Sequence, residues 1–318
     1  MSDSASLSLD LDNAWSYLKT RGDASWQSYP SYLAVVVPRA LDVLAAADLR
    51  ITFFVVGTDA EREPEQIAAL AAAGHEVENH SHRHEPWLDR YAHDELAAEL
   101  DQAEAAITAA TGVAPTAFRG PGYTLSAELL RSLRERGYRY DASTLPTWIG
   151  PLARAYYFRT AKLDAGQRAE RSKLFGTVAD ARWPVTPYRF EDADGLIELP
   201  VTTLPGLRVP IHLSYVLYLQ GFSPPLARRY FRTALATCHR VGVEPSILLH
   251  PLDLIGADDL GGTALEFFPG MGLDGLTKRQ LLLDCLAEMT DRFEVLTLGE
   301  HVTRLAARPL PVRPIPDR

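Results

Sequence analysis

The sequence predicts an α/β fold, an irregular (β/α) barrel of seven or eight units that carries one inserted cap segment. Three observations lead there. Short β-branched or aromatic runs alternate with longer Ala/Leu/Glu-rich stretches along the 318 residues. The units recur at intervals of about 25 to 50 residues, which suits strand–helix pairs. The side chains with chemical potential fall at strand ends, which in such a barrel share one rim, so residues far apart in the chain meet in space.

The elements follow in order. Leu7 to Asp12 alternates apolar and polar residues, the period of a strand, and ends in carboxylates. Pro38 fits the first turn of a helix over Arg39 to Ala47. Ile51 to Val56 is a continuous β-branched and aromatic run, the mark of a strand buried on both faces. Glu63 to Ala73 reads as a helix stopped by Gly74, and His93 to Thr111 as a long helix ended by Gly112. A short strand at Ala117 and Phe118 runs into a turn. Ser126 then caps a helix that ends near Gly137, and Tyr138 to Ala142 is another strand. From Pro146 to Arg189 the rhythm breaks. It resumes with strand Leu196 to Val201, helix Leu226 to Val241, strand Ser246 to His250, a Gly-rich loop from Gly256 to Gly275, helix Lys278 to Thr290, strand Glu294 to Thr297 and a terminal helix. The expected organisation is one barrel over residues 1–308, a cap at 146–192 and a flexible Pro/Arg-rich tail at 309–318.

Composition narrows the function classes. A formal charge of -9 argues against nucleic acid as the main partner. Cys238 and Cys285 both fall in expected helices and give no disulfide framework. The polar start, Met1 to Ser6, lacks the basic and apolar regions of a signal peptide, and no apolar run approaches the roughly 20 residues of a spanning helix. The expectation is a cytoplasmic protein.

The chain is organised around Gly74 to His84, where His80, His82 and His84 stand at alternate positions after a strand. A neutral imidazole offers a nitrogen lone pair to a metal. His80 and His84 are four apart, so one helical turn would put both rings on one face, with His82 pointing elsewhere. A catalytic ion usually needs a third ligand and an open position. Asp10 and Asp12 end the first strand, Arg119 follows the fourth, Asp141 ends the fifth and His250 a later one, all on the predicted rim.

In this order the motifs resemble the polysaccharide deacetylase family, the NodB-homology group of carbohydrate esterases. The matching blocks are the Asp-containing first strand, His-Ser-x-x-His at 80 to 84, Arg-Gly-Pro-Gly-Tyr at 119 to 123, Tyr-Asp at 140 and 141, and Leu-His-Pro at 249 to 251. The first block departs from the usual pattern: most members carry adjacent aspartates, whereas this chain has Leu-Asp-Leu-Asp-Asn. A one-residue spacer in a strand still keeps both carboxylates on one face. Spaced aspartates also occur in a family branch that acts on smaller, lipid-carried or peptidoglycan-like substrates.

The resemblance implies a barrel of the NodB type and a metal-dependent hydrolase that removes an N-acyl group, acetyl or formyl, from an amino sugar. Asp12, His80 and His84 would hold one divalent ion, zinc foremost. Asp10 would be the base, held by Arg119. The backbone N–H of Tyr123 would help at the oxyanion, and His250 would protonate the departing amine, with Asp141 fixing its tautomer. Tyr123, Leu249 and Trp87 would contact substrate. Which aspartate is ligand and which is base stays open at this point.

The segment from Pro151 to Phe190 holds eight Lys or Arg against three Asp or Glu, with interleaved aromatics. It is read either as a solvated insertion packed on the barrel or as a cap that meets an anionic membrane or a lipid-phosphate-linked glycan. Three rival functions stand beside the deacetylase: an amidohydrolase of the same fold acting on a non-sugar amide or ureide, an iron(II) oxygenase with a two-His-one-carboxylate site, and a non-catalytic carbohydrate-binding relative. The alternating α/β pattern disfavours the oxygenase, and the intact Asp10, Arg119 and His250 disfavour the binder.

Overall fold

The computed structural model describes residues 3–191, 195–260, 265–268 and 270–315. Part of the Gly256–Gly275 loop, the last three tail residues and the first two residues lie outside that set. Among the described residues ten strands form one sheet: β1 (Ser4–Leu11), β2 (Thr52–Val55), β3 (Glu76–Asn79), β4 (Ala117–Phe118), β5 (Tyr140–Asp141), β6 (Tyr188–Phe190), β7 (Ile197–Glu198), β8 (Ser246–Leu249), β9 (Glu294–Leu296) and β10 (Val312–Arg313). Their order is β10-β6-β7-β5-β4-β3-β2-β1-β8, with β9 also on β1. Every pairing is parallel except β6 with β7.

The sheet curls into an incompletely closed barrel. No ladder joins β7 to β8, but the chain after β7 bridges the gap: Val201 N–H donates to Thr144 O, and Thr202 N–H donates to Ser246 O at 2.9 Å. This is why the strand expected over Leu196 to Val201 is recorded only at Ile197–Glu198. Beyond Glu198 the backbone pairs first with one neighbour and then with the other.

The alternation read in the first strand sorts the two faces. Leu7, Leu9 and Leu11 join the main apolar core under the surrounding helices. Ser6, Ser8 and Asp10 fall on the opposite, interior face. There Ser6 Oγ lies 3.0 Å from His301 Nδ1, and Ser8 Oγ accepts from Arg119 at 2.8 Å. A separate interior cluster of Phe54, Ala117, Tyr140, Ala142, Ile197 and Leu199 is sealed by Leu298, Val302 and Leu305 of the last helix, Leu298–Ala306. That helix therefore plugs the end of the barrel away from the strand C-termini.

Two expectations are corrected. The helix assigned to Arg39–Ala47 spans Leu33–Ala46, with Pro38 inside it. Burying Leu33, Val36, Val37, Ala40, Val43 and Leu44 outweighs the one backbone bond that proline removes. The tail is not frayed over its described part, since β10 pairs with β6: Arg189 N–H donates to Pro311 O and Glu191 N–H to Arg313 O, both at 2.8 Å. Its prolines suit a sheet edge. Within the insertion, helices cover Gly150–Thr160 and Ala165–Glu170, and a 3₁₀ turn covers Val178–Arg182. Among the described residues no helix is long and apolar enough to cross a membrane.

Candidate metal centre and active-site rim

The end of β1 and the loop after β3 bring Asp12, His80 and His84 together, all buried, with one potential ligand atom of each within 4.8 Å of the others. Asp12 Oδ1 lies 2.9 Å from His84 Nε2 and 3.3 Å from His80 Nε2. The rings of His80 and His84 stand 5.1 Å apart. They converge without the helical turn expected from their spacing. Ser81 at φ 64° and His84 at φ 49° kink the loop through the left-handed region, a strained conformation for residues with a Cβ. Several bonds hold it. Ser81 N–H donates to Asn79 Oδ1 at 2.8 Å, and His84 N–H to Ser81 Oγ at 3.1 Å. The buried Glu99 carboxylate accepts from the backbone N–H of His82 at 2.9 Å and of Arg83 at 2.6 Å. His82 turns away towards Gly57, where a Cβ would stand 2.7 Å from its Nδ1, so only glycine fits there.

This donor set fits a cation. His80 Nδ1 lies 2.6 Å from the Arg119 carbonyl oxygen, which fixes that nitrogen as the N–H donor and leaves the Nε2 lone pair facing Asp12. Asp12 Oδ1 is buried and has no hydrogen-bond donor. Lone pairs and a carboxylate so close repel unless a proton or a metal ion lies among them. The electrostatics agree. Burial pushes the Asp12 carboxyl up, but the two imidazoles outweigh it and hold it well below the usual carboxylate range. Burial pulls the His80 imidazole down, and the Asp10 and Asp12 carboxylates with the Arg119 carbonyl carry it above its ordinary value.

Beside this cluster Asp10 is held by Arg119, which is fully buried. Arg119 Nη1 donates to Asp10 Oδ1 at 2.7 Å and to Ser8 Oγ at 2.8 Å, and Nε donates to Ala142 O at 2.9 Å. Its guanidinium stacks 4.3 Å over the Phe54 ring. Asp10 accepts from Arg119 while Asp12 faces the imidazoles, so the two aspartates occupy different environments.

His250 follows β8 one residue beyond the Leu9–Leu249 register pair, next to Asp10 on the neighbouring strand. Its carboxylate partner is not Asp141. Tyr140 and Ala142 take the interior positions of β5, so Asp141 points to the other face. There it bonds the Ser143 hydroxyl at 2.7 Å and pairs with Glu198, its register partner on β7. Burial raises both carboxyls, and repulsion between them raises Glu198 further. The groups beside His250 escaped the sequence reading. Ser214 Oγ lies 3.2 Å from His250 Nδ1 and donates to Asp253 Oδ1 at 2.8 Å, so it accepts from an Nδ1–H. Asp253 Oδ2 also accepts from the His250 backbone N–H at 2.8 Å. The only available signal was an Asp three residues after His250, a capping spacing. His212 went unnoticed in an apolar stretch. It is buried edge-on to His250 with ring centroids 5.9 Å apart, and burial with the neighbouring charge of His250 holds it well below its ordinary value.

The expected substrate contacts fare unevenly. Leu249 packs into the main core beside Leu9, and Leu248 shares the interior face with Ser8. Trp87 is buried and carries the Arg171 guanidinium 4.2 Å over its ring, so that face is not free to stack on a sugar. The Tyr123 backbone N–H donates to Gly120 O at 2.9 Å, so the turn consumes the proton expected at an oxyanion. The Tyr123 side chain does stay near the site, since burial and then the Asp10 charge push its hydroxyl well above its usual range. A cavity of about 670 Å³ between the insertion and the Arg119–Tyr123 turn does not cover the Asp12–His80–His84 cluster; it touches the rim at Tyr123.

Residues 23–140 match the polysaccharide deacetylase family model, the family its motifs resemble. The match contains His80, His84 and Arg119 and leaves out Asp10, Asp12 and His250. A chitooligosaccharide deacetylase of Bradyrhizobium sp. is 37% identical over 101 residues, 31% of this chain and 46% of that protein. The chain thus spans under half the length of that relative. Among solved structures, a Mycobacterium smegmatis protein assigned to the polysaccharide deacetylases superposes over 99% of this chain and 96% of its own, with TM-score 0.62 and 21% identity. The Puue allantoinase covers 96% of this chain and 90% of its own, with TM-score 0.57 and 16% identity. At those identities the two structures speak for the fold.

Proposed function

We propose that this protein is a metal-dependent N-deacylase of an amino sugar in a glycan, a glycan precursor or a lipid-linked sugar. The observation that carries the reading is the convergence of Asp12, His80 and His84 next to the Asp10–Arg119 pair. Asp12, His80 and His84 would hold one divalent ion, with zinc favoured by a carboxylate and two imidazoles. The chemistry such an ion supplies is polarisation of the acyl carbonyl and acidification of a water molecule.

The remaining work falls to the chain. Asp10 takes a proton from the attacking water, and Arg119 fixes the direction of that carboxylate through its 2.7 Å bond. Water oxygen adds to the acyl carbon as the C=O π pair moves onto oxygen; when that pair returns, the C–N bond breaks and His250 passes a proton to the departing amine. Ser214, accepting from Nδ1–H, keeps the other ring nitrogen turned to the substrate. The products are the free amino sugar and acetate or formate.

Protein supplied with zinc and incubated with N-acetylglucosamine oligomers tests this directly. Acetate release that stops on chelation and returns with added metal is the expected result. Hydrolysis of ureides with none of the acetylated sugars would move the assignment to the amidohydrolase reading.

A further inference from the structure

The basic insertion offers a site that this reaction leaves unassigned. Of its eight Lys and Arg, seven are consumed within the protein. Arg154 donates to Leu174 O at 3.0 Å and to Gly176 O at 2.7 Å. Arg168 donates to Phe158 O at 3.1 Å, and Arg189 to Gly195 O at 2.5 Å. Arg171 donates to Thr20 O at 2.8 Å and covers Trp87. Lys162 pairs with Asp23 and Lys173 with Asp89, each at 3.0 Å, and Arg159 lies over Tyr156. Among the described residues only Arg182 of the eight has no partner. It lines the 670 Å³ cavity, and so does Arg313, brought there by the β10–β6 pairing and likewise without a side-chain partner among the described residues.

The acidic groups of the same walls are committed. Asp89 holds Lys173, and Asp180 accepts from Thr177 N–H at 2.7 Å. Two uncommitted guanidiniums therefore face a space large enough for a small ligand. Planar N–H forks match carboxylate and phosphate oxygens. Tyr123 joins this space to the rim, since it lines the cavity and lies within electrostatic reach of Asp10.

We propose that the cavity between the cap, the Arg119–Tyr123 turn and the C-terminal strand is a subsite for an anionic group, a phosphate or carboxylate, borne by the substrate beyond its acylated ring. The proposal rests on the deacylase reading for what lies at the rim, and on Arg182 and Arg313 for the anion.

Equilibrium titration with two matched probes tests it: di-N-acetylchitobiose and the same disaccharide bearing a 1-phosphate. The phosphorylated probe should bind about tenfold tighter at low salt. Arg182→Gln with Arg313→Gln should erase that preference and leave the neutral probe unchanged. Equal binding of both probes to the wild type, or equal weakening of both by the double variant, overturns the proposal. Arginine-dependent co-sedimentation with phosphatidylglycerol vesicles, without preference for the soluble phosphate, also overturns it and assigns the arginines to a lipid surface. Acetate release is measured separately. Its absence beside an intact phosphate preference refutes the deacylase and spares the subsite; turnover without the preference does the reverse.

Discussion

Arg119→Met is the most searching perturbation of the site. The guanidinium is fully buried and makes one charged and two neutral hydrogen bonds, to Asp10, Ser8 and Ala142. The charged bond contributes about 1.5–3 kcal/mol and each neutral one about 1 kcal/mol, so the variant should lose about 4 kcal/mol. That falls within the roughly 3–5 kcal/mol cost of stranding one partner of a buried ion pair. Methionine keeps much of the packing over Phe54, so little of the loss is cavity. Adding Asp10→Asn removes the stranded carboxylate and should restore about 2 kcal/mol, a coupling that urea unfolding of the four proteins of a double-mutant cycle reads directly. A loss under about 1 kcal/mol in the single variant, or no recovery in the double, would refute the claim that Arg119 exists to balance Asp10.

Other outcomes follow from the same geometry. His80→Ala and His84→Ala should abolish stoichiometric metal in elemental analysis, while Asp10→Asn keeps the ion and loses turnover; if Asp10→Asn strips the ion and Asp12→Asn does not, the aspartates exchange roles. Ser214→Ala should lower kcat roughly tenfold and move the pH limb assigned to the proton donor, whereas Asp141→Asn, on the far face of its strand, should leave that limb in place. Glu244 is held down to about 2, first by its bond to His301 and also by Arg308. A depressed carboxyl contributes stability that is present above its ordinary 4.5 and is lost as pH falls towards 2, so Glu244→Gln should flatten acid unfolding across that window.

How much could be read in advance follows from what each signal encodes. The alternation in Leu7 to Asp12 fixes the face of each side chain on its own, so the Asp10 and Asp12 placements were legible. Ring convergence at His80 and His84 was legible as a spacing but not as a shape, because the left-handed kink at Ser81 depends on Glu99, which the next helix, His93–Thr111, brings back against the loop. Asp141 misled for a related reason. A two-residue strand leaves its phase to its neighbours, and Phe54 and Ala117 draw Tyr140 inwards instead. Ser214 carries no local signature at all; its role arises only when the helix Leu213–Gln220 packs beside β8. The charge count of the insertion was legible, but its use was not, since seven of the cations end on carbonyls, carboxylates and aromatic rings of this same chain.

The position of β1 has a consequence for how the chain comes into being. It pairs with β2 on one side and with β8 and β9 on the other. Once synthesised, β1 therefore waits for partners that begin at Ser246 and Glu294. At roughly 5–20 residues per second, about 12–50 seconds pass before the earlier of the two arrives. Throughout that interval Leu7, Leu9 and Leu11 lie along an open hydrogen-bonding edge, the kind of segment to which chaperones bind. Such delayed, long-range closure makes assembly slow, and it ties the ligand-bearing end of β1 to the completion of the whole barrel.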